Sequence, residues 1–476
     1  MTTCKVETTS MELVPFSVIN EYLKEKLLHP SRYSRPTYSF LKIFQHGLYF
    51  HFTKQKHKVI FNYLGFPLWF QEFIYWLKSK RQSSSTNKKH TLKEYVILDP
   101  GRVIPDENQH WHSIYFDKIA ALIGKDRLTI INQREGTKNA ADYLLKDLTH
   151  PLPSLDDAER VLLKEIHDSL KFAWQSKQFG ASEMRQIRSA MHIFFEEFRG
   201  YYHVLKNQPT KKLLFICHYH NEGLIAATKC LGIECIEFQH GLIASNDLYY
   251  VYHEQFASVI GKSLFPEKML VYGPYWKRIL ESGCEYHSHQ IFIAGDYLYH
   301  TDQQEASAIQ KENLILVCAQ KNMHDDYTRY VRCLMEHLSA YPDWRVIVKL
   351  HPLEKNKEAY YELNSLGAEI RDIETPLDTL LAKAKIQISI YSTTFYDALG
   401  FNVCNYSLQN YGSMSDYAAD IIAEAVALPL DIEENPITKY LNESRDVQAY
   451  MPRSEVYSLF DPSIVAEAIG LHQVDN

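Results

Sequence analysis

KLLFICHYHNEGLIAATKCLGIECIEFQHG, Lys212 to Gly241, decides the fold. An apolar run, Leu213 to Cys217, stops at the polar His218-Tyr219-His220. A helical segment opens near Asn221 and closes at Gly232, a residue that accepts the left-handed backbone of a helix C-terminus. A second strand-like run ends in Gln239-His240-Gly241. Neither run alternates strictly between apolar and polar, so each strand is expected to be covered on both faces. Strand, helix, strand of this kind is the signature of a parallel α/β sheet.

The pattern continues in both directions. Upstream, EYVILDPGR gives a strand stopped by Asp99-Pro100-Gly101, RLTIIN gives another, and a long helical region runs from about Ser154 to Leu205. Downstream, EKMLVYG ends at Gly273 and IFIAGD adds one more strand. A fresh α/β series starts at NLILVCAQKN and continues through DWRVIVKLHP and KIQISIYSTTFYDALGFNVCNYS. Two α/β sheets in series are therefore predicted, joined around 290–312. SLFDPSIVAEAIGLHQ reads as a terminal helix.

The 476 residues are too many for one ordinary core, and the net charge of -7 lacks the basic footprint of a nucleic-acid binder. No two of the eight cysteines form a CxxC pair, which points to a reduced protein without a zinc site or disulfide framework. The start, MTTCKVETTS, is polar and carries no signal peptide, so a cytoplasmic location is expected. Ile60–Gln82 is aromatic and ends in basic residues, but Pro67, Gln71 and Glu72 argue against a membrane span. Two readings remain for it. One is a buried helix before a solvated loop, Ser79–His90. The other is a peripheral contact of the 60–90 region with the inner membrane face.

Open parallel sheets bind ligands beyond the carboxyl ends of their strands, so the residues after each apolar run are the site candidates. The first sheet offers His218, His220, Asn221, Glu222, Gln239, His240 and Gly241. The second offers Gln320, Lys321, Asn322, His351, Pro352, Tyr391, Ser392, Thr393 and Thr394. His351 can donate to a phosphate oxygen or be a plain capping residue, and Lys349 shares its strand face. Three hydroxyls before a helix near Phe395 form an anion site, of which an ordinary N-cap would explain one. Asp397 suits the helix dipole or a ribose hydroxyl. Glu222 is a candidate general base, with His218 and His220 as alternatives, or an ordinary first-turn carboxylate. Gly241 permits a tight turn after His240, which is directed to the cleft as a sugar contact or base. The earlier Gln45-His46-Gly47 follows no strand and reads as coincidence.

NEGLIAATKCLGIECIEFQHG, MLVYGPYWKRILESG, IFIAGDYLYH, VIVKLHP and ISIYSTTFYDALG together resemble the GT-B glycosyltransferases of bacterial capsule and surface polysaccharide synthesis, over roughly 91–470. The Lys-x-His-Pro and the Ser/Thr cluster are similar to those of sialyl-, polysialyl- and Kdo transferases, which use CMP-activated sugars. The resemblance implies two Rossmann-like domains facing an interdomain cleft. It implies a donor phosphate on His351 and Ser392–Thr394, with Lys349, Pro352, Gln320, Lys321 and Asp397 around the nucleotide. The sialyltransferases carry two acids and a Gly in the first domain, the first acid being the base. Here the motif reads Asn221-Glu222-Gly223, with Asn in place of the leading acid, and the catalytic candidates are Glu222 and His240. His218, His220, Asn221, Gln239 and Gly241 fall to the acceptor.

The expected organisation is an aromatic helical extension, 1–90; an acceptor domain, 91–290; a nucleotide-sugar domain, 291–455; and a C-terminal helix, 456–476. The expected partners are a nucleotide sugar, CMP-linked, and an oligosaccharide or lipid-linked glycan acceptor. No cofactor is expected, and no Asp-x-Asp motif calls for a metal. The rival readings are a UDP-sugar transferase, a glycerophosphotransferase or a nucleotide-sugar epimerase on the same fold, and a non-catalytic glycan-binding subunit.

Overall fold

Five consecutive buried residues, Tyr95–Asp99, form the strand β1 around which the first sheet is built. The computed structural model describes residues 40, 42–45, 64–82, 90–149 (less 106, 107, 109 and 135–140), 152–252 (less 178, 246 and 248), 264–298 (less 284 and 285), 310–409 (less 322, 353, 355 and 373), 414–443 and 451–471. They divide into a first unit, drawn from Glu21–Gln303 and Arg453–Asn476, and a second, drawn from Gln304–Pro452.

After β1 come the antiparallel hairpin β2 (Val103–Pro105) and β3 (Trp111–Ser113), then β4 (Leu128–Asn132), β5 (Tyr143–Leu144), β6 (Lys212–Phe215), β7 (Glu234–Phe238), β8 (Lys268–Val271) and β9 (Ile291–Ile293). All but the hairpin run parallel in the order β5-β4-β1-β6-β7-β8-β9. The second unit has β10 (Leu314–Cys318), β11 (Arg345–Lys349), β12 (Glu369–Arg371), β13 (Ile386–Ser389), β14 (Cys404–Leu408) and β15 (Leu428–Leu430). Its parallel order is β12-β11-β10-β13-β14-β15. In each sheet the chain starts at a middle strand, moves outward by two, and returns to the other side of the first. This is the doubly wound order of the Rossmann fold, with one further strand in the first unit. The chain is thus an α/β protein of two Rossmann-like units with parallel sheets.

The helices of the first unit include α1 (Leu68–Gln82), α2 (Asp157–Gln175), α3 (Ala181–Leu205) and α4 (Glu222–Leu231). The sequence suggests one helical region from 154 to 205, but the chain breaks it. Lys177 turns through a positive φ of 55°, and the N–H of Gly180 is taken by the Glu183 carboxylate at 2.5 Å. The fully buried Glu159 then clamps α2 to α3, accepting from Arg199 at 2.6 Å and lying 3.1 Å from His203 Nε2. α3 and α4 touch backbone to backbone at Gly223. A Cβ there would stand 2.4 Å from Glu197 Cβ and 2.7 Å from the Phe194 carbonyl oxygen. That contact fixes where the polar start of α4 points.

In the second unit, α5 (His324–Leu338) buries Tyr327, Tyr330, Val331 and Leu334 against the apolar faces of β10, β11 and β13. The helix expected near Phe395 is one turn, α6 (Thr394–Asp397). The predicted terminal helix forms as α7 (Pro462–Ile469) and is built into the first unit. There Tyr95 Oη donates to the Gly470 carbonyl at 3.3 Å and Lys268 Nζ to that of Ala468 at 2.7 Å. No helix among the described residues is long and apolar enough to cross a membrane. Of Gln45-His46-Gly47, Gln45 is buried, while His46 and Gly47 lie outside the described residues, as do 83–89 of the expected linker.

Candidate functional site

The strand order of the second unit reverses between β10 and β13, and the candidate donor residues gather at the carboxyl ends there. Gln320 follows β10, Tyr391–Thr394 follow β13, and His351 follows β11 on the other side of β10. The ends of β11 and β13 lie two strand spacings apart, roughly 10 Å. Gln320 Oε1 accepts from Tyr391 N–H at 3.3 Å and from Tyr327 Oη at 3.0 Å, tying the reversal together.

Buried polar side chains hold the hydroxyl loop from beneath. Tyr327 Oη accepts Ile390 N–H at 3.2 Å, Ser407 Oγ donates to the Ile390 carbonyl at 2.7 Å, and Asn405 Nδ2 donates to that of Phe395 at 2.9 Å. Gln387 Nε2 donates to Thr394 Oγ1 at 2.6 Å, and Ser392 Oγ accepts Thr394 N–H at 3.2 Å. Thr393, at the N-cap position of α6, makes no capping bond with its side chain. One turn has little macrodipole, so the helix axis itself adds little at this loop. Sequence reading missed Tyr327, Gln387, Asn405 and Ser407. The signal was present: polar residues inside the apolar runs IQIS and CNYS must find buried partners.

His351 and Asp397 are half-buried, and Pro352 and Lys321 exposed. The His351 carbonyl accepts Glu354 N–H at 2.9 Å, closing the turn after β11. Lys349 is buried, and its ammonium donates to the Asp372 carbonyl beyond β12; burial holds it below its ordinary basicity. Beside it a cavity of about 390 Å³ is lined by Leu350, Lys357, Tyr361, Arg371 and Asp372 among others. Asn322 lies outside the described residues.

In the first unit the reversal falls between β1 and β6. Cys217, just past β6, has a left-handed φ of 60°, and burial pushes its thiol up to about 12, which removes it as a nucleophile. Arg102 donates to Tyr115 Oη at 2.7 Å, and that hydroxyl donates to the His240 carbonyl at 3.2 Å. The half-buried His240 has Tyr219 Oη 3.2 Å from its Nε2, and the Tyr219 ring stacks on Tyr249 at 4.6 Å. Gly241 is half-buried beside it.

Four other first-unit candidates, His218, Asn221, Glu222 and Gln239, are turned inward. His218 has no exposure; Nδ1 lies 2.7 Å from Glu237 Oε2 and Nε2 lies 2.8 Å from the Tyr249 carbonyl, so each ring nitrogen faces an acceptor. Burial alone would raise the Glu237 carboxyl, but the His218 charge and hydrogen bonds, with Tyr250, hold it below its ordinary range. Gln239 is fully buried, its amide bonded to Tyr272 N–H at 3.1 Å and the Gly241 carbonyl at 2.9 Å. Asn221 is buried and donates to the Ile216 and Cys217 carbonyls. His220 lies in a short 3-10 turn, His218–His220. Glu222 is buried 3.8 Å from Lys42, itself buried over the Phe265 ring. Burial first, and then the Glu222 charge, push the neighbouring Glu197 carboxyl up to about 8.

No protein-family model matches the chain, and no curated protein matches it. Solved structures do align with it. A UDP co-structure of MnaA from S. aureus aligns at 11% identity over 81% of this chain and 99% of that one, with a TM-score of 0.46. UDP-GlcNAc 2-epimerase from Neisseria meningitidis, bound to UDP-GlcNAc, aligns at 13% identity over 79% and 99%, with a TM-score of 0.47. The spinosyn rhamnosyltransferase SpnG with spinosyn aglycone aligns at 10% identity over 79% and 100%, with a TM-score of 0.47. At this level of likeness no activity passes from those proteins to this one.

Proposed function

We propose that the chain is a GT-B glycosyltransferase that moves a sugar from a nucleotide-activated donor, CMP-linked, to a glycan acceptor in bacterial surface polysaccharide synthesis. The observation that carries this reading is the hydroxyl loop Ser392–Thr394, held by buried polar side chains at the strand reversal of the second unit. A loop fixed in advance costs no reorganisation when phosphate charge develops against it. The Lys-x-His-Pro at the end of β11 supports the same reading. In it, His351 donates to the departing phosphate, while the loop hydroxyls and N–H groups take the remaining oxygens.

The acceptor hydroxyl must lose a proton as it attacks the anomeric carbon. Of the two candidate bases, His240 fits better. It is half-exposed and held by Tyr219, whereas Glu222 is enclosed beside Lys42 and Glu197. No divalent ion is required in this scheme, because the phosphate charge is met by protein donors.

The test is a thermal-shift screen with CMP, UDP, GDP and CDP, followed by a nucleotide-release assay with glycan acceptors. Selective stabilisation by CMP and acceptor-dependent CMP release are expected. UDP-sugar interconversion without acceptor would replace the reading with an epimerase. Absence of any nucleotide response would leave a glycan-binding subunit.

A further inference from the structure

α1 places Trp69, Phe73, Trp76 and Lys80 on one helical stripe, at i, i+4, i+7 and i+11. All four are exposed, Trp69 at 68% and Trp76 at 47%. The stripe faces outward because the opposite side of the helix is anchored. Gln71 lies 3.1 Å from His167 of α2, and Tyr75 Oη donates to Glu196 of α3 at 2.9 Å. Lys80 Nζ stands 5.9 Å from the Trp76 ring centre.

α2 extends the same face. Its Arg160 joins Trp69, Phe73 and Trp76 around a shallow depression of about 430 Å³. Lys164, Lys171 and Trp174 follow Arg160 at helical spacing and are exposed too. The acids on this face are Glu72, at the rim of the depression, Asp157, 3.5 Å from Arg160, and Asp168, exposed between Lys164 and Lys171. The described cations of the face, Lys80, Arg160, Lys164 and Lys171, outnumber these acids. The net charge is -7, yet Phe73 to Lys93 contains Lys78, Lys80, Arg81, Lys88, Lys89 and Lys93 and no acid.

We propose that this face docks on an anionic phospholipid bilayer, with Trp69, Phe73 and Trp76 at headgroup depth and the cations on acidic headgroups. Amphipathic Trp rings next to long cationic side chains suit the membrane–water interface, where one end of each is apolar and the other wet. The negative remainder of the protein would turn this face toward an acidic surface. The inference does not rest on the activity proposed above, and it can fail or stand alone.

The test uses the full chain with phosphatidylcholine vesicles and with vesicles of phosphatidylcholine mixed with phosphatidylglycerol, read by co-sedimentation and tryptophan emission. Binding to the anionic vesicles, a blue-shifted emission and weakening by salt are expected. Trp69→Ser with Trp76→Ser should abolish binding while leaving the melting temperature unchanged. Lys80→Glu with Lys164→Glu should weaken binding to the anionic vesicles alone, by about tenfold or more. The proposal is overturned if the wild type stays in the supernatant at low salt or if the tryptophan variant binds as well as the wild type. It is equally overturned if the face supports only self-association that the tryptophan variant abolishes.

Discussion

The amide oxygen of Gln320 accepts the backbone N–H of Tyr391, joining the ends of the two strands between which the second sheet reverses. The same atom accepts from Tyr327, whose hydroxyl also takes the N–H of Ile390. Gln320→Ala should therefore destabilise the second unit by about 1–3 kcal/mol, since buried partners lose their acceptor. Urea unfolding measures that loss. The nucleotide-induced thermal shift should shrink as well, because the hydroxyl loop loses a support.

His351→Ala should behave differently. The ring is half-buried at a turn, so the melting temperature should change little. If His351 binds the donor phosphate, the stabilisation by saturating nucleotide, about 2.7 kcal/mol at a hundredfold excess over Kd, should largely vanish. An undiminished shift in this variant would end the phosphate-site reading.

Glu197 gives a pH signature in the first unit. Its folded-state value is raised from 4.5 to about 8, so between those values the folded chain holds a proton that the unfolded chain has released. Stability should then fall as pH rises through this window, by at most about 1.4 kcal/mol per pH unit. Glu197→Gln should flatten that slope and make the variant relatively more stable in alkaline solution. Denaturant titrations across the window measure it; identical slopes would mean that Glu197 does not hold the extra proton.

Glu237 has the opposite sign. Its carboxyl is held below the ordinary 4.5, so its contribution is present above that value and is lost as pH falls through the lower folded-state value. Glu237→Gln leaves the buried His218 facing an amide and should cost roughly 3–5 kcal/mol near neutrality. The acid limb of the stability curve should then become shallower.

Two glycines separate packing from backbone effects. Gly223→Ala forces a Cβ to 2.7 Å from the backbone of α3 and should be severely destabilising, about 4 kcal/mol or more. Gly232→Ala meets nothing within 4 Å but keeps a φ of +70°, so only about 1 kcal/mol is expected. Equal losses in chemical denaturation would mean that α3 and α4 can move apart.

The sheets were largely legible because their strands are buried on both faces: YVILD, LILVC and RVIVK read as apolar runs. The hairpin β2–β3 was not, since its strands, VIP and WHS, are only three residues long. The break between α2 and α3 joins the N-cap Gly180 to a left-handed Lys177, a conformation that sequence gives no reason to expect of lysine. At the sites, strand-end position was readable but side-chain direction was not. His218 and Gln239 stand where a ligand-facing residue would stand, yet they point into the protein. Glu237 held the clue: a carboxylate inside ECIEF needs a buried partner, and His218 supplies it. The polar residues of β13 and β14 likewise announced the scaffold of the hydroxyl loop.

The return of the chain to its starting unit bears on biosynthesis. Residues 453–471 close the first unit, packing on β8 and β9: Lys268 bonds the Ala468 carbonyl, and Asp461 N–H bonds that of Ala294. At Gly273 and Gly295 the returning backbone passes so near that a Cβ would stand 2.5 and 2.1 Å from it. A nascent chain on the ribosome can therefore finish its second sheet before its first, although the first is translated earlier. The first waits, incomplete and with apolar surface uncovered, until residues 453–471 emerge. Vectorial synthesis thus makes the second-translated unit the one that can mature early, and it makes the C-terminal helix the last piece that the first unit requires.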